Sequence, residues 1–137
     1  MFRFKSIAVA AAAALVASVS MVPAQAVDKE VLVWADETRG PNLTKVIEGK
    51  GDWVPGYKIV IRTFSSFDAL KTAVDNATDL TGPDIIVGAN DWVATGAKNG
   101  KLAPLTLSNA VKNRFTPNNL FDLSYKGNLY GVPLDIN

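Results

Sequence analysis

Three short runs of apolar residues recur along the chain, and segments with the spacing of helices separate them. The runs cover residues 31–34, 59–61 and 85–87 and consist mostly of valine, isoleucine and leucine. Strands that are covered on both faces have such continuous apolar runs, and strands that alternate with helices build sheets with helices packed against them. The sequence therefore predicts an α/β fold, with the first run as a central strand.

The segments between the apolar runs contain residues that are typical of helix N-termini. Pro41 suits the first turn of one helix. Ser65 and Asp68 have the spacing of a capping box for a second helix, and Asp91 can cap a third. Beyond residue 100 the pattern is less regular, and it predicts short helices after Ser108 and Thr116 and a hairpin with its turn at residues 126–128.

The first 26 residues have the composition of a secretory signal peptide. Arg3 and Lys5 precede an apolar stretch at residues 7–22, and small residues at 24 and 26 mark a cleavage site. The apolar stretch is shorter than the about 20 residues that a membrane span needs, which favours cleavage over an uncleaved anchor. Cleavage leaves residues 27–137, with 12 basic and 13 acidic side chains and so a net charge of −1.

The net charge and the cysteine content limit the cell compartments and the binding partners that are possible for this chain. The net charge of the whole chain is +1, without the excess of basic residues that nucleic-acid binding requires. No cysteine follows the apolar stretch to carry a lipid anchor. We therefore expect a periplasmic or secreted protein that binds no nucleic acid and has no stable membrane insertion after cleavage.

Catalytic and metal chemistry have few candidates in this chain. It lacks histidine and cysteine, which removes the commonest general base, the thiol nucleophile and the usual zinc ligands. Residues 96–101 are one residue too short for a phosphate-binding loop, and Asp75, Asp79 and Asp84 lack the alternate spacing of a calcium loop. We therefore predict neither a metal site nor a cofactor.

Polar and aromatic residues follow each of the three predicted strands. Ligands of open α/β sheets bind beyond the carboxyl ends of the strands, so these residues form the candidate site. They are Trp34, Asp36, Glu37, Thr38 and Arg39 after the first strand, Phe64, Ser65, Ser66 and Asp68 after the second, and Gly88, Asn90, Asp91 and Trp92 after the third. Aromatic faces combined with carboxylates and amides suit a neutral, polyhydroxylated ligand.

Several of these residues also have a purely structural interpretation. Trp34 continues a buried strand, so packing and ligand contact are equally open for it. Trp92 stands at a helix start beside the strand ends, which favours ligand contact over packing. Asp91 can bind a ligand or only cap the helix.

Ordered segments of the chain match a known pattern. They are residues 31–34, Gly82-Pro83-Asp84-Ile85-Ile86, Asn90-Asp91-Trp92, Gly100-Lys101-Leu102 and Tyr125-Lys126-Gly127-Asn128-Leu129-Tyr130-Gly131-Val132-Pro133. In this order they resemble the extracellular solute-binding proteins of sugar ABC importers, most of all the maltose and maltodextrin branch. The resemblance implies a periplasmic-binding-protein-like, type II-like lobe with a mixed sheet and flanking helices. It also implies a monomeric, non-enzymatic receptor whose two lobes close on an oligosaccharide and deliver it to ABC importer permease subunits.

The resemblance further implies which residues contact the sugar. The family's loop after the first strand offers an acid and a base, which fall on Thr38 and Arg39, so only the base is kept. Its aspartate after the third strand matches Asp91, and the neighbouring arginine falls on Trp92. The family's cleft aromatic falls on Gly88, which cannot stack, and Trp92 lies close enough to be a substitute.

Two further positions complete the predicted set. An acid of the family's second helix matches Asp68 approximately, and a glutamate after the segment 125–133 falls on Asn137. The predicted ligand-binding residues are Asp36, Glu37, Arg39, Asp68, Asn90, Asp91, Trp92 and Asn137.

The end of the chain and the resemblance together predict an incomplete lobe. Residues 132–137 resemble a strand that enters a sheet rather than a frayed terminus, and receptors of this kind continue through a second lobe. We therefore expect residues 27–137 to be the N-terminal part of the first lobe, in a truncated protein that does not bind sugar usefully alone.

Two other functions stay open at this point. The same fold serves receptors for polyamines, anions or metal chelates, which would need unpaired acids or bases around the strand ends. A secreted carbohydrate-active enzyme would need two carboxylates that converge across a cleft. Asp36 and Glu37 are adjacent and, in an extended chain, point to opposite sides.

Overall fold

The structure is a computed structural model that describes residues 29–50 and 53–134. Its elements in chain order are β1 (Lys29–Ala35), α1 (Arg39–Lys50), β2 (Tyr57–Thr63), α2 (Phe67–Asn76), β3 (Ile85–Ile86), α3 (Trp92–Lys98), α4 (Asn109–Lys112), α5 (Pro117–Phe121), β4 (Ser124–Tyr125) and β5 (Asn128–Leu129). The predicted leader at residues 1–26 and the predicted ligand contact Asn137 lie outside the described residues.

The first three strands form a parallel sheet in the order β2-β1-β3. Val33 of β1 pairs with Ile61 of β2 on one side and with Ile85 of β3 on the other. Asp84 ties β3 to β1, because its carboxylate accepts the N–H of Leu32 at 2.8 Å and its own N–H donates to the carbonyl of Leu32. β1 is thus the central strand, as its apolar run predicted, and the α/β fold class with flanking helices is confirmed. Among the described residues, the three strands of this sheet are all parallel.

The two longest helices lie on opposite faces of the sheet. The steps from β1 to β2 and from β2 to β3 run in opposite directions across the sheet, and crossovers between parallel strands are right-handed. On one face, Leu70 and Val74 of α2 pack on Trp34 and form the buried core. On the other face, Leu43 of α1 and Val33 of β1 line a common cavity.

The start of α2 differs from the prediction by one residue. Ser66 is the capping residue, and its hydroxyl accepts the N–H of Ala69 at 3.0 Å. The predicted capping box of Ser65 and Asp68 is therefore wrong. The backbone of Ser66 is extended and precedes the first helical residue, which is the conformation that aims a capping oxygen at the first turn.

Beyond α3 the chain forms the short elements that its capping residues predicted. Ser108 and Thr116 cap α4 and α5, and each hydroxyl accepts the N–H three residues further on at 3.4 Å. β4 and β5 form an antiparallel hairpin. Lys126 and Gly127 in its turn have positive φ angles of 49° and 80°, as a two-residue type I′ turn requires, so the turn is one residue tighter than predicted.

Candidate functional site

The carboxyl edge of the sheet opens between β1 and β3. The chain leaves β1 toward α1 on one face, whereas Trp92 at the start of α3 packs against the core on the other face. The loops that follow the two strands therefore diverge. Such a divergence between neighbouring parallel strands is where open α/β sheets bind ligands. We call the space between residues 36–39 and residues 88–92 the rim crevice.

Asp36 is the buried centre of the first loop, with 2% of its surface exposed. One carboxylate oxygen accepts the N–H groups of Thr38 and Arg39, each at 2.8 Å. The other accepts a hydrogen bond from Nη1 of Arg39 at 2.6 Å. Burial raises the pKa of Asp36, but the backbone N–H and guanidinium of Arg39 and the N–H of Thr38 outweigh burial and hold the pKa below its ordinary value of 3.8. Asp36 is therefore a charged acceptor that organises the loop.

Arg39 is anchored by Asp36 and still reaches solvent. Its side chain is 41% exposed and lines a cavity of about 880 Å³. A guanidinium carries five N–H donors in a planar fork, and the bond to Asp36 is made by Nη1. The fork is thus held at one end while its other end is available to a ligand. Glu37, between the two residues, is exposed.

Trp92 ends the second loop and packs toward α2, so it does not line the cavity that Arg39 lines. It is half-buried, and its ring is tilted by 35° against Phe67, with the ring centroids 4.7 Å apart. The ammonium group of Lys71 lies 5.6 Å from the centre of the indole. Trp92 also lines a second cavity of about 410 Å³. An indole fixed by packing therefore presents part of its surface as a stacking face.

The polar residues of the second loop are exposed. Asp91 stands at the N-cap position of α3, but its backbone is helical, with φ −65° and ψ −15°, and its side chain makes no capping hydrogen bond. The predicted cap is therefore wrong, because capping needs an extended backbone that aims the oxygen at the helix. Asn90 is exposed and lines the larger cavity.

The structure brings only part of the predicted set together. Arg39 and Asn90 line the larger cavity and Trp92 lines the smaller one, while Gly88 and Ala89 line both. Of the other predicted residues, Asp36 is buried beneath the loop, Glu37, Asp68 and Asp91 are exposed and line neither cavity, and Asn137 lies outside the described residues. The two cavities therefore adjoin at the end of β3.

Polar residues of the smaller cavity were missed by the sequence analysis. Lys71 and Asp75 pair at 2.6 Å one turn apart on α2, and Asn99 and Tyr130 line the same cavity. The spacing of Lys71 and Asp75 was a usable signal for the ion pair. The position of Tyr130 depends on how the hairpin packs, which no local pattern reports.

Trp34 is a packing residue. It is 4% exposed and belongs to the core cluster with Leu70 and Val74. The ring of Phe64 meets it edge-on at 5.0 Å, and its indole N–H is buried without a hydrogen-bond partner among the residues that the structure describes. Of the two interpretations left open by the sequence, packing is the one that this burial supports.

Within residues 29–50 and 53–134, the acidic side chains do not gather into a group of three that could hold a metal ion. In the same ranges, no helix has the length and apolar character needed to cross a membrane.

A comparison with protein families identifies the chain's relatives. The model of the family described as bacterial extracellular solute-binding protein matches residues 43–137, which is more than half of the chain. The match includes α2, β3, the second loop of the rim crevice and the hairpin. The chain therefore belongs to the bacterial extracellular solute-binding proteins, which serve as the extracellular solute-binding components of ABC transport.

Proposed function

We propose that this chain is the substrate-binding component of an ABC importer for oligosaccharides of the maltose and maltodextrin class. One observation supports the proposal most. The loop after β1 carries an anchored guanidinium, that of Arg39, and the loop after β3 carries a fixed indole, that of Trp92. Sugars offer C–H faces to aromatic rings and hydroxyl oxygens to guanidinium groups, so the two loops supply both kinds of contact.

Each residue of the predicted set has a role in this proposal. Arg39 donates hydrogen bonds to sugar hydroxyls, and Asp36 acts through Arg39 by holding its guanidinium. Asn90 and Asp91 bind further hydroxyls, and Trp92 stacks against a sugar ring. Glu37 and Asp68 lie at the margin of the site, and Asn137 keeps its predicted role as a ligand contact.

The proposal also covers the organisation of the protein. Residues 1–26 are a cleaved leader, and residues 27–137 belong to the first lobe of a monomeric, non-enzymatic receptor that docks on permease subunits. A micromolar sugar complex corresponds to a binding free energy of about −8 kcal/mol. A lobe that supplies half of the contacts therefore supports about −4 kcal/mol, near millimolar affinity. Binding by the rim crevice alone is therefore weak and needs a method that detects weak complexes.

Nuclear magnetic resonance with maltotriose tests this proposal directly. The chain has three tryptophans, and each indole N–H gives one signal. Trp92 lies in the rim crevice, whereas Trp53 lies in the loop before β2, at the opposite edge of the sheet. We expect millimolar maltotriose to shift the indole signal of Trp92 and the backbone signals of residues 36–39 and 88–92, and to leave Trp53 unchanged.

Two controls make the titration specific. Asp91→Ala should weaken the response about tenfold, the effect of losing about 1.4 kcal/mol, while Asp79→Ala changes an exposed aspartate outside the rim crevice and should leave the response intact. Spermidine is the matched competitor, because Glu37, Asp68 and Asp91 are exposed acids that a polyamine would bind. Shifts with spermidine and none with maltotriose would overturn the sugar assignment in favour of a polyamine receptor.

A further inference from the structure

Gly88 lies in the second loop of the rim crevice, two residues beyond the end of β3. A side chain at this position would overlap the indole of Trp92, because an ideal Cβ would lie 2.6 Å from both Cε3 and Cζ3 of the ring. Carbon atoms that are not bonded pack at about 3.5 to 4.0 Å. Trp92 therefore occupies the space that any other residue at position 88 would need.

The remaining contacts of Trp92 hold the ring in this place. The ring of Phe67 lies 4.7 Å from it, centre to centre. Trp92 also packs against the buried cluster of Trp34, Leu70 and Val74. The indole is a rigid plate, so it cannot yield at the edge near Gly88 without changing its contacts with α2.

We propose that Gly88 is a positioning residue for solute binding, because its missing side chain lets the indole of Trp92 lie across the end of β3. The inference rests on the proposed function, in which this indole is the stacking face for a sugar ring. Gly88 lines both cavities beside the rim crevice, and the ring that it admits lines the smaller one. A side chain at position 88 would change the orientation of the stacking face and thereby the affinity for the sugar.

The other glycines provide a matched control. A Cβ on Gly96 would lie 2.8 Å from Cδ1 of Leu102, a flexible aliphatic side chain. A Cβ on Gly49 in α1 would meet nothing within 4 Å. Gly49→Ala thus makes the same chemical change in open space, at the far end of α1 from the rim crevice.

The first experiment needs no ligand. In the wild-type protein, nuclear Overhauser effects should connect the Hα atoms of Gly88 to Hε3 and Hζ3 of Trp92, and the indole to the ring of Phe67. In Gly88→Ala the Trp92–Phe67 effects should fall at least twofold and the Trp92 indole signal should move, while Trp53 stays. Gly49→Ala should reproduce the wild-type spectrum. Unchanged Trp92–Phe67 effects in a folded Gly88→Ala protein would overturn the inference.

The second experiment measures the dissociation constant for maltotriose in a double-mutant cycle. Gly88→Ala should weaken binding about tenfold in the wild-type background and less than twofold when Trp92→Ala has already removed the ring, because the two changes act through one group. The double variant has room for the new methyl group, so a double variant that folds when Gly88→Ala alone does not would support the overlap, and a double variant that folds no better would contradict it. Equal weakening in both backgrounds would contradict the inference.

The two experiments separate this inference from the proposed function. A wild-type protein that shows the Gly88–Trp92 effects but no response to maltotriose would contradict the sugar assignment, and the ligand-free comparison would still decide whether Gly88 positions Trp92. A normal maltotriose response together with additive effects in the cycle would keep the proposed function and contradict the role of Gly88.

Discussion

The two loops of the rim crevice each carry an aspartate close to the start of a helix, and the two aspartates behave differently. Asp36 is buried and accepts three hydrogen bonds from Thr38 and Arg39. Asp91 is exposed, and its side chain makes no capping hydrogen bond. The first loop is held by charge and hydrogen bonds and the second by aromatic packing, so only the second leaves its aspartate free for a ligand.

The largest expected effect separates these two aspartates. Asp36→Ala leaves the N–H groups of Thr38 and Arg39 without their acceptor in a partly buried place, and should lower the free energy of unfolding by about 3 kcal/mol. Asp91→Ala removes an exposed side chain and should change it by less than about 0.5 kcal/mol. Urea unfolding followed by circular dichroism measures both. Equal losses in the two variants would show that the loops are held in the same way.

A smaller effect tests whether packing also fixes the first loop. Gly40 is buried, and a Cβ on it would lie 2.9 Å from both Cβ and Cγ2 of Thr63. Gly40→Ala should therefore lower the free energy of unfolding by about 2 kcal/mol through overpacking, whereas Gly49→Ala in the same helix should raise it by about 0.5 kcal/mol.

Thr63→Ala is the partner variant for this test. It shortens the side chain that Gly40→Ala would meet, so the double variant should recover part of the lost stability in urea unfolding. If Gly40→Ala proves as harmless as Gly49→Ala, the start of α1 does not depend on its close approach to β2.

The smallest expected effect is the pH dependence of the first loop. The pKa of Asp36 lies below its ordinary value of 3.8 in the folded protein, so folding favours the charged form. The stability that this carboxylate contributes is then fully present above pH 3.8 and is lost as the pH falls through the folded pKa. The difference in unfolding free energy between wild type and Asp36→Asn should therefore narrow as the pH falls below 3.8. A difference that stays constant there would contradict the lowered pKa.

The sequence predicted the elements that depend on neighbouring residues and missed the contacts that depend on the fold. The apolar runs predicted β1 and its central place, and Ser108 and Thr116 predicted two helix starts. Both predictions succeeded because strand burial and helix capping depend on residues that are close together in the sequence. The prediction of Ser65 as the cap of α2 was wrong, since serine also occupies position 66 and only the backbone conformation decides which of the two caps the helix.

The sequence predicted where the candidate site lies, but it did not predict which contacts its residues make. The rule that ligands bind beyond the strand ends pointed to Arg39 and Trp92, which the structure places beside two adjoining cavities at the end of β3. The burial of Asp36 and the overlap between position 88 and Trp92 arise from packing between elements far apart in sequence, which no local pattern reports. Membership of the solute-binding family is confirmed, and the sugar class stays a prediction.

The strand order also determines how this chain assembles. β1 is synthesised first and lies in the middle of the sheet, yet the Leu32–Asp84 hydrogen bonds that join it to the β3 edge span 52 residues. Parallel pairing over such separations is slow, because the loop must close before the contacts form. β1 pairs with β2 at every position from Lys29 to Ala35, and this pairing does not require β3. We therefore expect β3 to join the β1–β2 pair last.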